Sequence, residues 1–159
     1  MKEYTIFINS EDGVGSSTND ITYTFDWNII PEGTYELSFT FLSSMKKVEE
    51  TEAEAVVSTV SVEAVVPFSS DRYAAKSSGY SNSSNIIGFV KPEQVDKWTH
   101  SGTHFSMRQW VSQVDNPTLR LYGKPQGNDF KIRLLGFNGG VSLYSPIEYN
   151  MIIKLKSVC

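Results

Sequence analysis

Residues 21–41 alternate apolar and polar side chains twice, in "ITYTFDWN" and "TYELSFTF", with "IIPEG" between them. In the first run Ile21, Tyr23, Phe25 and Trp27 fall on one side and Thr22, Thr24, Asp26 and Asn28 on the other. In the second, Tyr35, Leu37, Phe39 and Phe41 oppose Thr34, Glu36, Ser38 and Thr40. Successive side chains of an extended chain point to opposite faces, so each run predicts a half-buried strand. Pro31 fixes φ and Gly33 permits a positive one, which is turn chemistry and predicts that the two strands pair as an antiparallel hairpin.

The same period recurs along the chain. "YTIFINS" (4–10) places Tyr4, Ile6 and Ile8 on one face, and "VVSTVSVEAVV" (56–66) turns Val60, Val62, Ala64 and Val66 inward. "IIGFV" (86–90) reads as a short buried strand; "FSMRQWV" (105–111), "TLRLYG" (118–123), "FKIRLLGF" (130–137) and "YNMIIKLK" (149–156) add four more. "EDGVGSSTND" (11–20) reads as a loop. "MKKVEETEAEA" (45–55) has helix propensity but only Val48 as an apolar residue, which predicts an exposed connection with a helical turn. Eight or nine strands without an amphipathic helix must bury their apolar sides against another sheet. Long loops at 11–20, 43–55, 67–85 and 138–148 favour a Greek-key or jelly-roll sandwich over an evenly spaced meander.

Composition narrows the function. The chain of 159 residues has the length of one domain, residues 1–159, and is 13% aromatic but only 20% charged. A net charge of −4 offers no clustered cations for nucleic acid, and no run approaches the length of a membrane-spanning helix. Cys159, the single cysteine, excludes an internal disulfide. The opening residues lack a signal-peptide pattern, so the expectation is a reducing compartment, and the "NSS" sequon at Asn82 is set aside.

Candidate chemistry is sparse. His100 and His104 stand in "HSGTH", a spacing that joins them only on a helix, which Ser101, Gly102 and Thr103 disfavour. "GVGSST" (13–18) lacks the Lys-Ser/Thr ending of a phosphate loop, and the carboxylates at 49–54 read as solvated charges. No catalytic, cofactor-binding or metal-binding residue is assigned, and an enzyme is not expected. Arg108, Trp110, Arg120, Tyr122, Arg133 and Tyr144 are interface-type residues, with Trp110 read as core and Arg120 and Arg133 as outward partners of Glu or Asp.

The string "FINSEDGVGSSTNDITYTFDWNIIPEGTYELSFTFLSS" resembles the opening of the small single jelly-roll capsid proteins, minor capsid and penton type, of large double-stranded DNA viruses and virophages. The pieces are Ser10, Glu11 and Asp12, then Tyr23, Phe25 and Trp27, then Pro31, Gly33, Tyr35 and Phe39. "VDNPTLRLYGKPQGNDFKIRLLGFNGG" and the closing "YNMIIKLK" are similar too, while the middle of the chain and the acidic run at 45–54 depart from the pattern. The resemblance implies a single jelly roll of two packed antiparallel four-stranded sheets, acting as a structural virion protein that self-associates, as a pentamer for a penton, or bridges major capsomers. It implies other capsid proteins as partners, assembly in the host cytoplasm, and no cofactor. The alternative from another class is a carbohydrate-binding, lectin-like sandwich that uses Trp98, Trp110, Tyr80 or Tyr144 as stacking platforms. A hydrolase on the same scaffold would need a polar cleft that the sequence does not show.

Overall fold

The computed structural model describes residues 2–17, 19–49, 59–75, 82–112, 115–136 and 148–158. Residues 50–58, Tyr80, Tyr144, the Asn-Gly turn after residue 137 and Cys159 lie outside them. In chain order the strands are β1 (Glu3–Asn9), β2 (Val14–Ser17), β3 (Asp20–Thr24), β4 (Gly33–Ser43), β5 (Lys46–Glu49), β6 (Val60–Val65) and β7 (Ser69–Ser70). They continue with β8 (Tyr73–Ala74), β9 (Asn82–Ser83), β10 (Ile86–His100), β11 (Thr103–Ser112), β12 (Leu119–Gly123), β13 (Asp129–Leu135) and β14 (Tyr149–Ser157). Two single 3-10 turns, Ser10–Asp12 and Trp27–Ile29, are the helical elements among the described residues.

The fold is all-β: one antiparallel sheet, curled into a half-barrel, runs in the order β1-β14-β4-β11-β10-β6-β13-β3-β2. Strand β12 adds to β4 and carries β7, while β5 adds to β11. Several pairings among the described strands are nested in sequence: β1 with β14, β3 with β13, β6 with β10, and β4 with β11 at the single pair Leu42–Val111. Lateral pairs β14–β4, β13–β6 and β10–β11 then join the ribbons.

The curl closes over one core. Tyr35, Leu37, Phe39 and Phe41 of β4, together with Met151, Ile153 and Leu155 of β14, share a single buried cluster with Ile21, Tyr23, Val62, Phe130, Ile132 and Leu134 of the other half. Each such side chain contributes roughly 1.5–3 kcal/mol on burial. The two halves also meet through a polar contact, the Tyr23 and Tyr149 hydroxyls 2.9 Å apart in the core. At Gly88 the backbone of β10 comes so near β4 that a Cβ would stand 2.6 Å from the Phe39 ring and 2.7 Å from the Asn116 carboxamide carbon. Only glycine permits that approach.

The inward and outward faces predicted for residues 21–41 are the observed ones, but the first strand stops at Thr24, with Trp27 in a 3-10 turn, and the hairpin is not formed. Strand β3 pairs with β13 and β2, and β4 pairs with β14, β12 and β11. The linking residues cross between the halves instead of folding back. Phe25 N–H donates to Asn128 O (2.8 Å) and Trp27 N–H to Gly127 O (3.1 Å), while the indole N–H donates to Asp129 O (2.9 Å). Trp27, 1% exposed, is thereby fixed against the start of β13. Asp26 caps the 3-10 turn through Asn28 N–H, and the Tyr35 hydroxyl bonds Pro31 O (2.7 Å).

Three further expectations change. The loop read at 11–20 contains edge strand β2. Within the acidic stretch, residues 46–49 form strand β5 rather than a helical turn, and the lone Val48 is 4% exposed. The short strand read at 86–90 is only the root of β10, which runs on to His100. The strands expected near 4–10, 105–111, 118–123 and 149–156 are present with ends shifted by a few residues; of those expected at 56–66 and 130–137, β6 (Val60–Val65) and β13 (Asp129–Leu135) are present, and residues 56–58 and 137 lie outside the described residues.

Candidate functional site

Strands β10 and β11 make a long hairpin whose far half leaves the body. Its turn is Ser101-Gly102 with φ of 51° and 80°, the two successive positive values of a type I′ turn, which matches the twist of the flanking strands. Among the described residues β10 has no pairing with β6 beyond Val90, and Glu93 through Lys97 are all exposed. Strand β5 lines the other side of β11, so residues 91–108 and 46–49 form a three-stranded arm.

Residues paired across antiparallel strands share a face, so the registers map the outer surface. One outward row runs Phe7–Ile152–Thr40, the next Asn9–Asn150–Leu42–Val111. On the arm the same face carries Met107 with Lys47 and Asp96, then Phe105 with Trp98 and Glu49. Trp98 stacks on Phe105 with centroids 5.8 Å apart at 23°, and Lys47 Nζ lies 4.3 Å over the Phe105 ring, a cation–π contact. Phe7 is 78% exposed and Leu42 49%, so this face presents a band of apolar side chains from the body toward the arm tip.

The opposite outer face is ionic. Arg133 contacts Glu63 (3.1 Å) and Asp20 (3.9 Å), and Lys131 reaches Asp20 (3.7 Å). Thus Arg133 has the acidic neighbours expected of it; Arg120 pairs with Glu36 (3.5 Å), which lies on the first face with Thr40 and Leu42 of β4. Their strands β12 and β13 are consecutive in sequence but not neighbours in the sheet.

The remaining sequence candidates disperse. His104 Nδ1 meets Thr99 Oγ1 (2.9 Å), whereas His100 pairs with Thr103 and therefore faces the other way. Hence the two histidines do not converge. Gly13–Ser17 belong to the loop and edge strand beside β3, where a Cβ on Gly15 would stand 2.0 Å from Asp20 O. Trp110 is core at 2% exposure, so of the described platforms proposed for sugars Trp98 alone has a partly open ring. Arg108 Nε donates to Ser106 Oγ (3.2 Å), and the Tyr122 hydroxyl donates to Asp71 (3.4 Å).

Sequence reading missed Asn116. Its carboxamide accepts from Phe89 N–H (3.0 Å) and donates to Phe89 O (2.9 Å), taking the place of a strand residue where β11 ends. It also borders a cleft of about 230 Å³, lined by Ser38, Phe39, Thr40, Pro117, Ile152 and Lys154. The signal available in the sequence was "DNP", an Asn before a Pro at the end of a strand.

Burial raises the hydroxyl pKa of Tyr149 far above the usual phenol range, with the Tyr23 contact adding to the rise, and burial likewise raises Tyr23. Both phenols are therefore neutral hydrogen-bonding groups at physiological pH. Burial lowers the Arg72 pKa, while its guanidinium donates to Ile86 O beneath the β6–β10 junction. Among the described residues no three His, Cys, Asp or Glu side chains are placed to hold a metal ion.

No protein-family model matches the chain, and no curated protein matches it. Among solved structures, the tripod (BppUct-A-L) from the baseplate of bacteriophage Tuc2009 aligns with a TM-score of 0.33 and 16% sequence identity. The alignment covers 98% of this chain and 64% of that one, so this chain spans less than two thirds of its length.

Proposed function

We propose that this protein is a non-enzymatic structural component of a virion, a single jelly-roll domain over residues 1–159 that works through contacts with neighbouring capsid proteins. The nested pairing carries the reading. Numbering the eight main strands in chain order, the first pairs with the eighth, the second with the seventh, the third with the sixth and the fourth with the fifth. A ribbon paired in this way and rolled up is the jelly-roll arrangement, and on this reading the one continuous sheet bends between β11 and β10 into two layers, β1-β14-β4-β11 and β10-β6-β13-β3. The resemblance of both chain ends to small jelly-roll capsid proteins supports the same conclusion.

In this role the sandwich is a stiff slab that needs no cofactor, and its exposed faces and edges touch symmetric neighbours. The apolar band on one outer face and the projecting arm provide surface for a penton ring or for a minor protein beneath the major capsomers. Quantitative mass spectrometry of purified particles is the test: a fixed stoichiometry relative to the major capsid protein is the expected result. Absence from particles overturns the reading. A titration with sugars that shifts Trp98 fluorescence would instead favour the lectin-like alternative.

A further inference from the structure

Every sheet that does not close has edges, and proteins blunt them with short strands, bulges, proline or lysine. Most edges of this sheet are blunted. At one end, β2 is four residues long with an irregular register between Val14 and Ser17. On the arm, β10 carries Lys91, Pro92 and Lys97 and a register shift at Val95. The Asn116 clamp shows that Phe89 turns its backbone groups toward the β11 side, so by alternation Pro92 turns its ring nitrogen to the other side, where no described residue pairs with it. Strand β5 has four residues, two of them Lys46 and Lys47, and β7 has two residues.

Strand β1 differs. It makes seven consecutive pairs with β14 without a shift, and "EYTIFIN" contains no proline, lysine or glycine. Ser157 N–H donates to Lys2 O (2.8 Å), which fixes the ladder's phase. By alternation Tyr4, Ile6 and Ile8 turn their backbone groups to β14, whereas Glu3, Thr5, Phe7 and Asn9 turn theirs to the other side, on which no described strand pairs. Glu3, Thr5 and Phe7 are exposed.

We propose that β1 is an assembly edge that pairs antiparallel with β1 of a second copy of this chain, joining two sheets across a two-fold axis. The axis at Ile6 sets Thr5 against Phe7 and Glu3 against Asn9 of the second copy, so outward residues meet outward residues and no like charges oppose each other. It also sets Lys2 opposite Ser10 and beside Glu11, matching the basic start of the strand to the acidic turn that ends it. Phe7 is covered in the process, and its ring extends the apolar band across the axis. This inference specifies a contact for the assembly reading and rests on it.

The test is sedimentation velocity from micromolar to millimolar concentration on the full chain, Thr5→Pro and Phe7→Lys. Thr5→Pro removes only an open-side N–H, so the β14 ladder and the melting temperature survive, yet self-association weakens by at least about tenfold. Phe7→Lys adds a like-charged guard to the edge and gives the same loss; it decides the matter if the proline variant does not fold. Amide exchange at Thr5 and Phe7 slows with concentration in the wild type. Unchanged association in both variants overturns the β1 contact and leaves the assembly reading standing. A wild type that stays monomeric throughout also overturns the contact, and particle content then decides the assembly reading separately.

Discussion

The body and the arm use the same two-residue period with opposite results. Along β4, Tyr35, Leu37, Phe39 and Phe41 are all buried, and they share one core cluster with residues of the other half of the curled sheet. Along the far half of β10, both sets of alternating residues meet solvent. The tip of the arm is held by its ladder, the type I′ turn and the Trp98–Phe105 stack, while nearer its root Val48 and Ser106 are buried and the body is held by shared burial. Regular strand geometry by itself does not show where the stabilisation lies.

Substitutions can break this contrast, starting with the core. Phe39→Asp places a charge beside apolar partners and is expected to unfold the body, seen as loss of cooperative thermal unfolding. A folded variant with ordinary stability would contradict the assignment of faces. Gly88→Ala comes next: the added methyl pushes on Phe39 and Asn116 and should cost about 1–3 kcal/mol in urea denaturation. An unchanged midpoint would mean that β10 and β4 approach less closely.

The Tyr23–Tyr149 contact gives a smaller effect with a pH signature. Removing one hydroxyl, as in Tyr149→Phe, should cost about 1 kcal/mol near neutral pH. Because both folded pKa values are raised, these two phenols are protonated in both states below about pH 10, and above it they ionise first in the unfolded chain. Stability should therefore fall as pH rises past about 10, and the double variant Tyr23→Phe/Tyr149→Phe should show a shallower fall. Equal slopes would show that other groups govern alkaline unfolding. At the small end, Val95→Asp on the arm should shift stability by less than about 0.5 kcal/mol. A large loss there would mean that the arm is part of the core.

These contrasts explain what the sequence could tell. Strands whose two faces meet different solvents, such as β4 and β14, announce themselves by alternation. The far half of β10, "KPEQVDKWTH", has no buried face and hence no alternation to read, and β5 was hidden by its Lys and Glu residues. Pairing was less legible than strand identity. Pro31 and Gly33 mark a change of direction, but the partner of β3 is chosen far away, by Trp27 against Asp129 O and Phe25 against Asn128 O. The platforms and cations gave a similar result: Trp110 and Arg133 behave as their surroundings require, while Asn116 acts through backbone geometry that composition does not reveal.

The outermost nested pair has a kinetic consequence. Asn9 and Asn150 bond across 141 residues of chain. During synthesis, β1 must therefore wait for almost the whole barrel to leave the ribosome before β14 can reach it. Completion of the sheet is then a late, slow event, and a nascent chain with an unoccupied Ile6–Ile8 flank is the species most in need of a chaperone.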